Sequence, residues 1–300
     1  MESPADDADA HFDVEPEDHI WLDGPVLWKD TTTWADRLTS WLAPRLKPDG
    51  LERLKGLGEQ DLCWDDSDWL DVVLKPAVRG GVEGLADRLA DSLFVATLRV
   101  YHGCRLPDAG VLHREGLRVN DPAKLEDEAR RIVAECEDLA WMRPGLEQRI
   151  AEFSHRERDT GRVYVCIDDR VQLDRAGHYA LYGPEWLQVF FSFSGFHALR
   201  SRGVPTIVEL DLPLEHASDS SRTELARALL QEWTRVIVNA PDWSPDRDFT
   251  IILDFDIPAE YVVGHSHPAV LRCPYNQMQE FVTEVTACPA CSAARPIGER

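Results

Sequence analysis

The spacing of apolar residues divides the chain into helical and extended segments. Apolar positions that recur every three or four residues lie on one face of a helix, whereas short runs of β-branched and aromatic residues favour strands. The predicted helices are 32–42, 65–74, 82–92, 121–141, 145–153, 184–193, 221–238 and 278–285. The predicted strands are 94–101, 162–167, 206–212 and 249–255. This mixture predicts an α+β fold.

The pattern also predicts four parts along the chain. They are an acidic tail (1–20), a helical N-terminal region (21–92), a larger α+β domain (93–287) and a C-terminal tail with a Cys-x-x-Cys pair (288–300). The helical region is rich in tryptophan, which favours a small helical core, with a peptide- or base-stacking surface as the alternative.

Composition narrows the class of protein. The 300 residues carry a net charge of -22, which argues against a broad phosphate-binding surface but leaves a local basic groove open. No apolar run approaches the roughly eighteen residues of a membrane span, and the polar start of the chain does not resemble a secretory signal. Seven cysteines, an odd number, do not predict a disulfide framework. We therefore expect a cytoplasmic protein with no membrane partner.

The segment Val100–Asn120, VYHGCRLPDAGVLHREGLRVN, is the most informative for chemistry. It resembles the first motif of the poly- and mono-ADP-ribosyltransferases, in which a strand ends in His-Gly-Ser or His-Gly-Thr and a Gly-Leu pair follows. The resemblance implies that His102 hydrogen-bonds a ribose hydroxyl of NAD and that the Gly103 backbone holds the nicotinamide carboxamide. Cys104 stands where those families carry Ser or Thr, and we place it and Arg105 in the same cofactor-binding set.

A second segment, Arg175–Phe191, reads RAGHYALYGPEWLQVFF and resembles the Gly-x-Tyr strand and following helix of the same families. The resemblance implies that one tyrosine stacks on nicotinamide, and Tyr179 and Tyr182 are the candidates. In a strand a spacing of three puts the two rings on opposite faces, so only one can stack. We prefer Tyr182, which lies next to the turn.

These families use a glutamate on a late strand to stabilise positive charge on the ribose. Three glutamates compete for this role, and we rank them Glu185, Glu209 and then Glu260. At the matching strand position the chain has Thr250. The identity of the catalytic carboxylate therefore stays open at this point.

The fold implied by the resemblance is an ADP-ribosyltransferase-like split antiparallel sheet with flanking helices, preceded by the tryptophan-rich helical part. The implied activity is NAD-dependent mono-ADP-ribosylation of a macromolecular acceptor, protein or nucleic acid, with NAD as co-substrate. Such an enzyme could be a bacterial toxin, effector or defence protein with a neutralising partner. Two alternatives remain: an RNA 2′-phosphotransferase-like enzyme that uses arginines such as Arg105, Arg114 and Arg118, and a non-catalytic NAD- or ADP-ribose-sensing module.

A further group of residues has the chemistry of metal ligands. His265, His267, Cys273 and the pair Cys288 and Cys291 could together form a zinc site. A single Cys-x-x-Cys supplies only half of a tetrahedral set. The alternative is two reduced thiols beside a histidine pair, and the sequence alone assigns no metal ligand.

Overall fold

The computed structural model describes residues 16–57, 68–153, 160–239, 245 and 249–294. Most of the predicted acidic tail, the first three residues of the helix predicted at 65–74, and the end of the C-terminal tail lie outside these ranges. The described residues form a mixed fold of helices and antiparallel strands, which confirms the α+β class.

The described residues contain twelve α-helices. In order they are α1 (Ala35–Leu42), α2 (Gly50–Lys55), α3 (Asp68–Leu74), α4 (Val82–Ser92), α5 (Gly110–Glu115), α6 (Pro122–Glu135), α7 (Leu146–Phe153), α8 (Asp169–Asp174), α9 (His178–Tyr182), α10 (Glu185–Arg200), α11 (Asp219–Asn239) and α12 (Pro289–Ala294). None of them combines the length and the apolar character that crossing a membrane requires.

The strands form two sheets. They are β1 (Thr97–Leu106), β2 (Val163–Cys166), β3 (Val204–Pro213), β4 (Thr250–Leu253), β5 (Val262–Ser266), β6 (Val270–Cys273) and β7 (Gln279–Val282). Five strands have the order β4-β2-β1-β3-β5, and β6 pairs with β7 in a separate hairpin. The pairings β1–β2, β2–β4, β3–β5 and β6–β7 are antiparallel. The strand that carries His102 and Gly103 is therefore central in its sheet.

The chain divides into two compact units that interleave in sequence. The first draws its described residues from Met1–Val26, Asp30–Thr97 and Pro213–Pro245, so α11 belongs with the N-terminal helices rather than with the domain predicted at 93–287. Tryptophan rings fill its interior, and Trp34 is fully buried. The indole N–H of Trp233 in α11 donates to Thr39 in α1 at 2.8 Å. Local periodicity could not predict this division, because it depends on which distant helix covers the apolar face of α4.

The second unit draws its described residues from Leu27–Lys29, Leu98–Leu212 and Asp246–Arg300 and contains the five-stranded sheet. Gly116, at φ +75°, ends α5 where a Cβ atom would lie 1.9 Å from the carbonyl oxygen of Ile257. This close approach lets Leu117 exchange backbone hydrogen bonds with Ile257 at 2.9 and 2.8 Å. Only glycine meets both requirements, so the Gly-Leu pair is fixed by the fold itself.

Two predicted elements are wrong. The helix expected at 278–285 is the strand β7, since Gln277 and Met278 have positive φ and reverse the chain so that 279–282 pairs with β6. The strand expected around the two tyrosines is the five-residue helix α9. There Gly177 packs so closely on β6 that a Cβ atom would lie 2.4 Å from the carbonyl oxygen of Arg272. In both places a tertiary contact overrides the local pattern.

Candidate functional site

A cavity of 280 Å³ lies against the β1–β2 part of the sheet in the second unit. This volume is near the lower end of the roughly 300–1,000 Å³ of small-molecule sites. Its walls come from β1, β2, β4, α8, α9, the start of α10 and the loops at 118–120 and 162. The lining includes His102, Gly103, Cys104, Arg118, Asn120, Arg162, Gln172, Tyr179, Glu185 and Thr250.

His102 is half-buried and held in one orientation. Its Nδ1 lies 2.9 Å from the carbonyl oxygen of Tyr164. A carbonyl can only accept a hydrogen bond, so Nδ1 must carry the proton. Burial lowers the pKa of His102 and outweighs the carbonyl contact, which raises it. The neutral ring therefore offers Nε2 as an acceptor, the arrangement that suits a ligand hydroxyl.

Gly103 packs closely against a neighbouring side chain of the protein. A Cβ atom at this position would lie 2.4 Å from Oε1 of Gln172. The Gln172 amide nitrogen donates to Sγ of Cys166 at 3.2 Å, while its buried Oε1 has no partner among the described residues. Gln172 therefore packs against the Gly103 backbone in the wall of the cavity.

The two tyrosines of α9 lie in different environments. Tyr179 lines the cavity, and its ring packs on His178 at a centroid distance of 4.1 Å. Tyr182 is 2% exposed and stacks on Phe196 at 4.1 Å, with its hydroxyl 3.6 Å from the sulfur of Cys273. The preference for Tyr182 as the stacking ring is therefore wrong. Tyr179 therefore faces the cavity, whereas Tyr182 is turned into the core against Phe196.

Glu185 begins α10 and lines the cavity together with His102 and Tyr179. The turn before it is shaped by Gly183, at φ +82°, and by Pro184. The amide of Gln188 donates to the Gly183 carbonyl at 2.6 Å and holds this turn against the first turn of the helix. Glu185 therefore lies at the N-terminal end of a helix, where an acidic residue is favoured by the helix dipole.

The other two candidate glutamates do not line the cavity. Glu209 lies on β3, where its carboxylate is 3.4 Å from the guanidinium of Arg99. Glu260 is exposed in a single helical turn at Ala259–Tyr261. Of the three ranked carboxylates, Glu185 alone lines the cavity with His102.

Arg105 is not available to a cofactor, contrary to the sequence prediction. Its guanidinium donates to backbone carbonyls: Arg202 at 2.8 Å, Gly203 at 3.0 Å, Ala180 at 3.3 Å and, more closely, Arg200. These carbonyls include those at the C-terminal end of α10, where a cation is favoured. Burial lowers the pKa of Arg105 to about 10. Arg105 therefore fixes the end of α10 to β1.

Cys104 lines the cavity but is poorly suited to nucleophilic chemistry. Burial raises the pKa of its thiol to about 12, so the neutral form prevails at neutral pH. Its contribution is a small apolar surface in the wall, where the resembling families carry a hydroxyl.

Further polar residues line the cavity, and among them Asn120, Arg162 and Gln172 were not assigned to a site from the sequence. Asn120 and Arg162 line the cavity, and the backbone N–H of Asn120 donates to the carbonyl of Arg162 at 3.2 Å. Arg118 forms an ion pair with Asp256 at 2.9 Å. Thr250, on β4, lines the cavity next to Cys166. Gln172 and Arg162 carry no sequence signal, because only the folding of α8 and β2 brings them to the cavity.

Comparison of this chain with protein-family models, with curated proteins and with solved structures finds nothing that matches.

Proposed function

We propose that the chain is an NAD-dependent ADP-ribosyltransferase that binds NAD in this cavity. The observation that carries the proposal is that His102, Tyr179 and Glu185, which come from separate elements, line the same cavity. An acceptor for a ribose hydroxyl, an aromatic ring and a carboxylate are the three groups that ribosyl transfer from NAD requires.

The nicotinamide half of NAD would lie against Tyr179 and His102 in the cavity wall. Tyr179 would stack its ring on nicotinamide, since an aromatic face suits a flat, partly cationic ring. Nε2 of His102 would accept from a ribose hydroxyl. In each of these contacts, the protein group is already held in place by a second contact within the protein.

Glu185 would serve the transfer step itself. NAD supplies the chemistry, because its ribose–nicotinamide bond can break with both bonding electrons leaving on nicotinamide. The Glu185 carboxylate would stabilise the positive charge that then develops on the ribose carbon. A nucleophilic oxygen or nitrogen of the acceptor would form the new bond and release its proton. The acceptor class, protein or nucleic acid, is a separate question.

One observation favours a second candidate, an RNA 2′-phosphotransferase-like enzyme. Arg118 and Arg162 both line the cavity, and a phosphate group on RNA would require cationic partners there. The same two arginines would equally serve the pyrophosphate of NAD. The net charge of -22 weighs against a long RNA surface, so we place this function second.

The test is incubation of the purified chain with NAD labelled on the adenylate phosphate, with and without cell lysate. Glu185→Gln should reduce turnover by about two to three orders of magnitude while NAD still binds, as expected for the loss of one transition-state contact. Glu260→Gln is the matched control, because its carboxylate is exposed and does not line the cavity.

Three outcomes separate the candidate functions. Label on a macromolecule, or free ADP-ribose, that depends on Glu185 supports the transferase. Binding without turnover supports the sensing module. Removal of a 2′-phosphate from RNA in the presence of NAD, with no label left on protein, supports the phosphotransferase.

A further inference from the structure

A second cluster in the same unit joins residues that are far apart in the chain. The side chains of His265, His267, Cys288 and Cys291 each present one ligand atom, and these atoms all lie within 4.8 Å of one another. Cys288 is buried and the other three are half-buried. Cys273 does not belong to the cluster, since its sulfur lies beside the hydroxyl of Tyr182.

Local structure brings each pair of ligands to one side. His265 and His267 are two residues apart in extended backbone at the end of β5, and such residues face the same way. Cys288 directly precedes α12 and Cys291 lies in its first turn, a spacing of three that puts both sulfurs on one side. The Asp108 carboxylate accepts hydrogen bonds from the N–H groups of Gly110 at 3.0 Å and Ala290 at 3.1 Å, which fixes the Cys-x-x-Cys turn.

The separations match a tetrahedral metal site. Zinc bonds of about 2.3 Å to sulfur and about 2.0 Å to nitrogen give edges of about 3.8 Å between two sulfurs and about 3.5 Å between sulfur and nitrogen. The Cys288 and Cys291 sulfurs are 3.9 Å apart. Nε2 of His265 lies 3.6 Å from the Cys288 sulfur and 3.2 Å from the Cys291 sulfur.

Both histidines have their second ring nitrogen held by a neighbour. Nδ1 of His267 lies 2.9 Å from the carbonyl oxygen of Pro205, so Nδ1 donates and Nε2 is the free lone pair. That Nε2 atom is buried and has no hydrogen-bond partner among the described residues. Nδ1 of His265 lies 2.9 Å from Nε2 of His113 on α5. Partners of this kind orient histidines that bind metals.

We propose that His265, His267, Cys288 and Cys291 bind one structural zinc ion. Two thiolates and two imidazoles are a typical zinc ligand set, and the two negative charges balance the ion. On binding, both thiols release their protons to solvent, and the contact that the Cys288 thiol makes with the Asp108 carboxylate is lost with its proton. Four protein ligands leave no open position, which makes the ion structural rather than catalytic.

The ion would join the C-terminal Cys-x-x-Cys segment to the end of β5. Through His113 it would also support α5, which lies between the His-Gly strand β1 and the loop that carries Arg118 and Asn120. The site therefore gives the C-terminal segment a role that the fold and the cavity do not otherwise explain.

The first test measures zinc per chain in the full protein purified without chelator. We expect about one equivalent, lost in both Cys291→Ser and His267→Ala and retained in Cys136→Ser, a half-buried cysteine outside the cluster. Equal zinc content in the wild type and both ligand variants would overturn the proposal. So would the absence of bound zinc after reconstitution of the reduced chain with the metal, or a Cys288–Cys291 disulfide in protein purified with reductant.

A second measurement needs no variant and so covers the case in which the variants fail to fold. The wild-type chain is stripped with a chelator and titrated with Co²⁺ alone. We expect the intense visible bands of a tetrahedral cobalt site and a thiolate-to-cobalt charge-transfer band, both abolished by one equivalent of Zn²⁺. A weak octahedral spectrum would contradict the proposed ligand set.

Discussion

Two sites in the second unit are each built around a histidine that is anchored by the same kind of hydrogen bond, but the two sites suit different ligands. His102 and His267 each donate from Nδ1 to a backbone carbonyl at 2.9 Å, which leaves Nε2 as the acceptor of the ring. Around His102 the neighbouring groups line a cavity of 280 Å³. Around His267 three further ligand atoms lie within 4.8 Å. The surroundings of an anchored imidazole therefore decide whether it suits an organic ligand or a metal ion.

Removal of the proposed zinc ion should give the largest change in stability, and it should affect the zinc site only. We expect chelation to lower the stability of the wild-type chain by about 4 kcal/mol or more, the value for a metal present at a thousand times its Kd. Urea unfolding with and without chelator measures the difference. His102→Ala should leave that difference unchanged, and a chelator effect that vanishes in His102→Ala would show that the two sites are not independent.

Variants of the two α9 tyrosines test which ring belongs to the cavity and which to the core. Tyr182→Ala should lower the free energy of unfolding by about 3–5 kcal/mol, because it removes a ring buried against Phe196. Tyr179→Ala should cost much less stability and should instead weaken NAD binding. Thermal unfolding and calorimetric titration of the two variants check this. The reverse pattern would return the stacking role to Tyr182.

His102→Ala should weaken NAD binding by about 1–3 kcal/mol, the cost of losing one buried hydrogen bond. Equilibrium titration with NAD measures this loss, and the melting temperature serves as the control. Collapse of the melting temperature with unchanged NAD affinity would identify His102 as a structural residue instead.

The pH dependence of stability offers the smallest effect. Burial lowers the folded-state pKa of His102 below its ordinary value of 6.5. Between those two pKa values the unfolded chain binds more protons, so stability falls as pH falls below 6.5. His102→Gln should remove the part of this decline in stability that comes from His102. Urea unfolding over a pH series measures the difference. An unchanged decline would mean that His102 titrates alike in both states.

The sequence predicted the elements better than their assembly. The helix 82–92 is confirmed in full, and β2, β3 and β4 lie within two residues of the predicted strands. The strand β1 begins three residues later than predicted and runs on to Leu106, and β5 and β6 were not predicted. The tyrosine segment and β7 were mispredicted because close backbone packing at Gly177 and the left-handed turn at Gln277 decide them. Both are tertiary constraints that local periodicity does not carry.

The candidate site was predictable only where a motif spans it. The His-Gly motif and the Tyr-containing segment pointed to His102, Tyr179 and Glu185, all of which line the cavity. Gln172 could not be found from the sequence, because its place in the cavity wall depends on the contact between its amide and Cys166. Arg105 was misassigned because its role depends on carbonyls about a hundred residues away, at the end of α10.

The proposed function depends on the binding of NAD in the cavity through Tyr179 and His102. The most direct test is a calorimetric titration of the purified wild-type chain with NAD, repeated with Tyr179→Ala. We predict saturable binding of one NAD per chain in the wild type, with affinity at least ten-fold weaker in the variant, about 1.4 kcal/mol. No binding to the folded wild type, or equal affinity in the two proteins, would contradict the account.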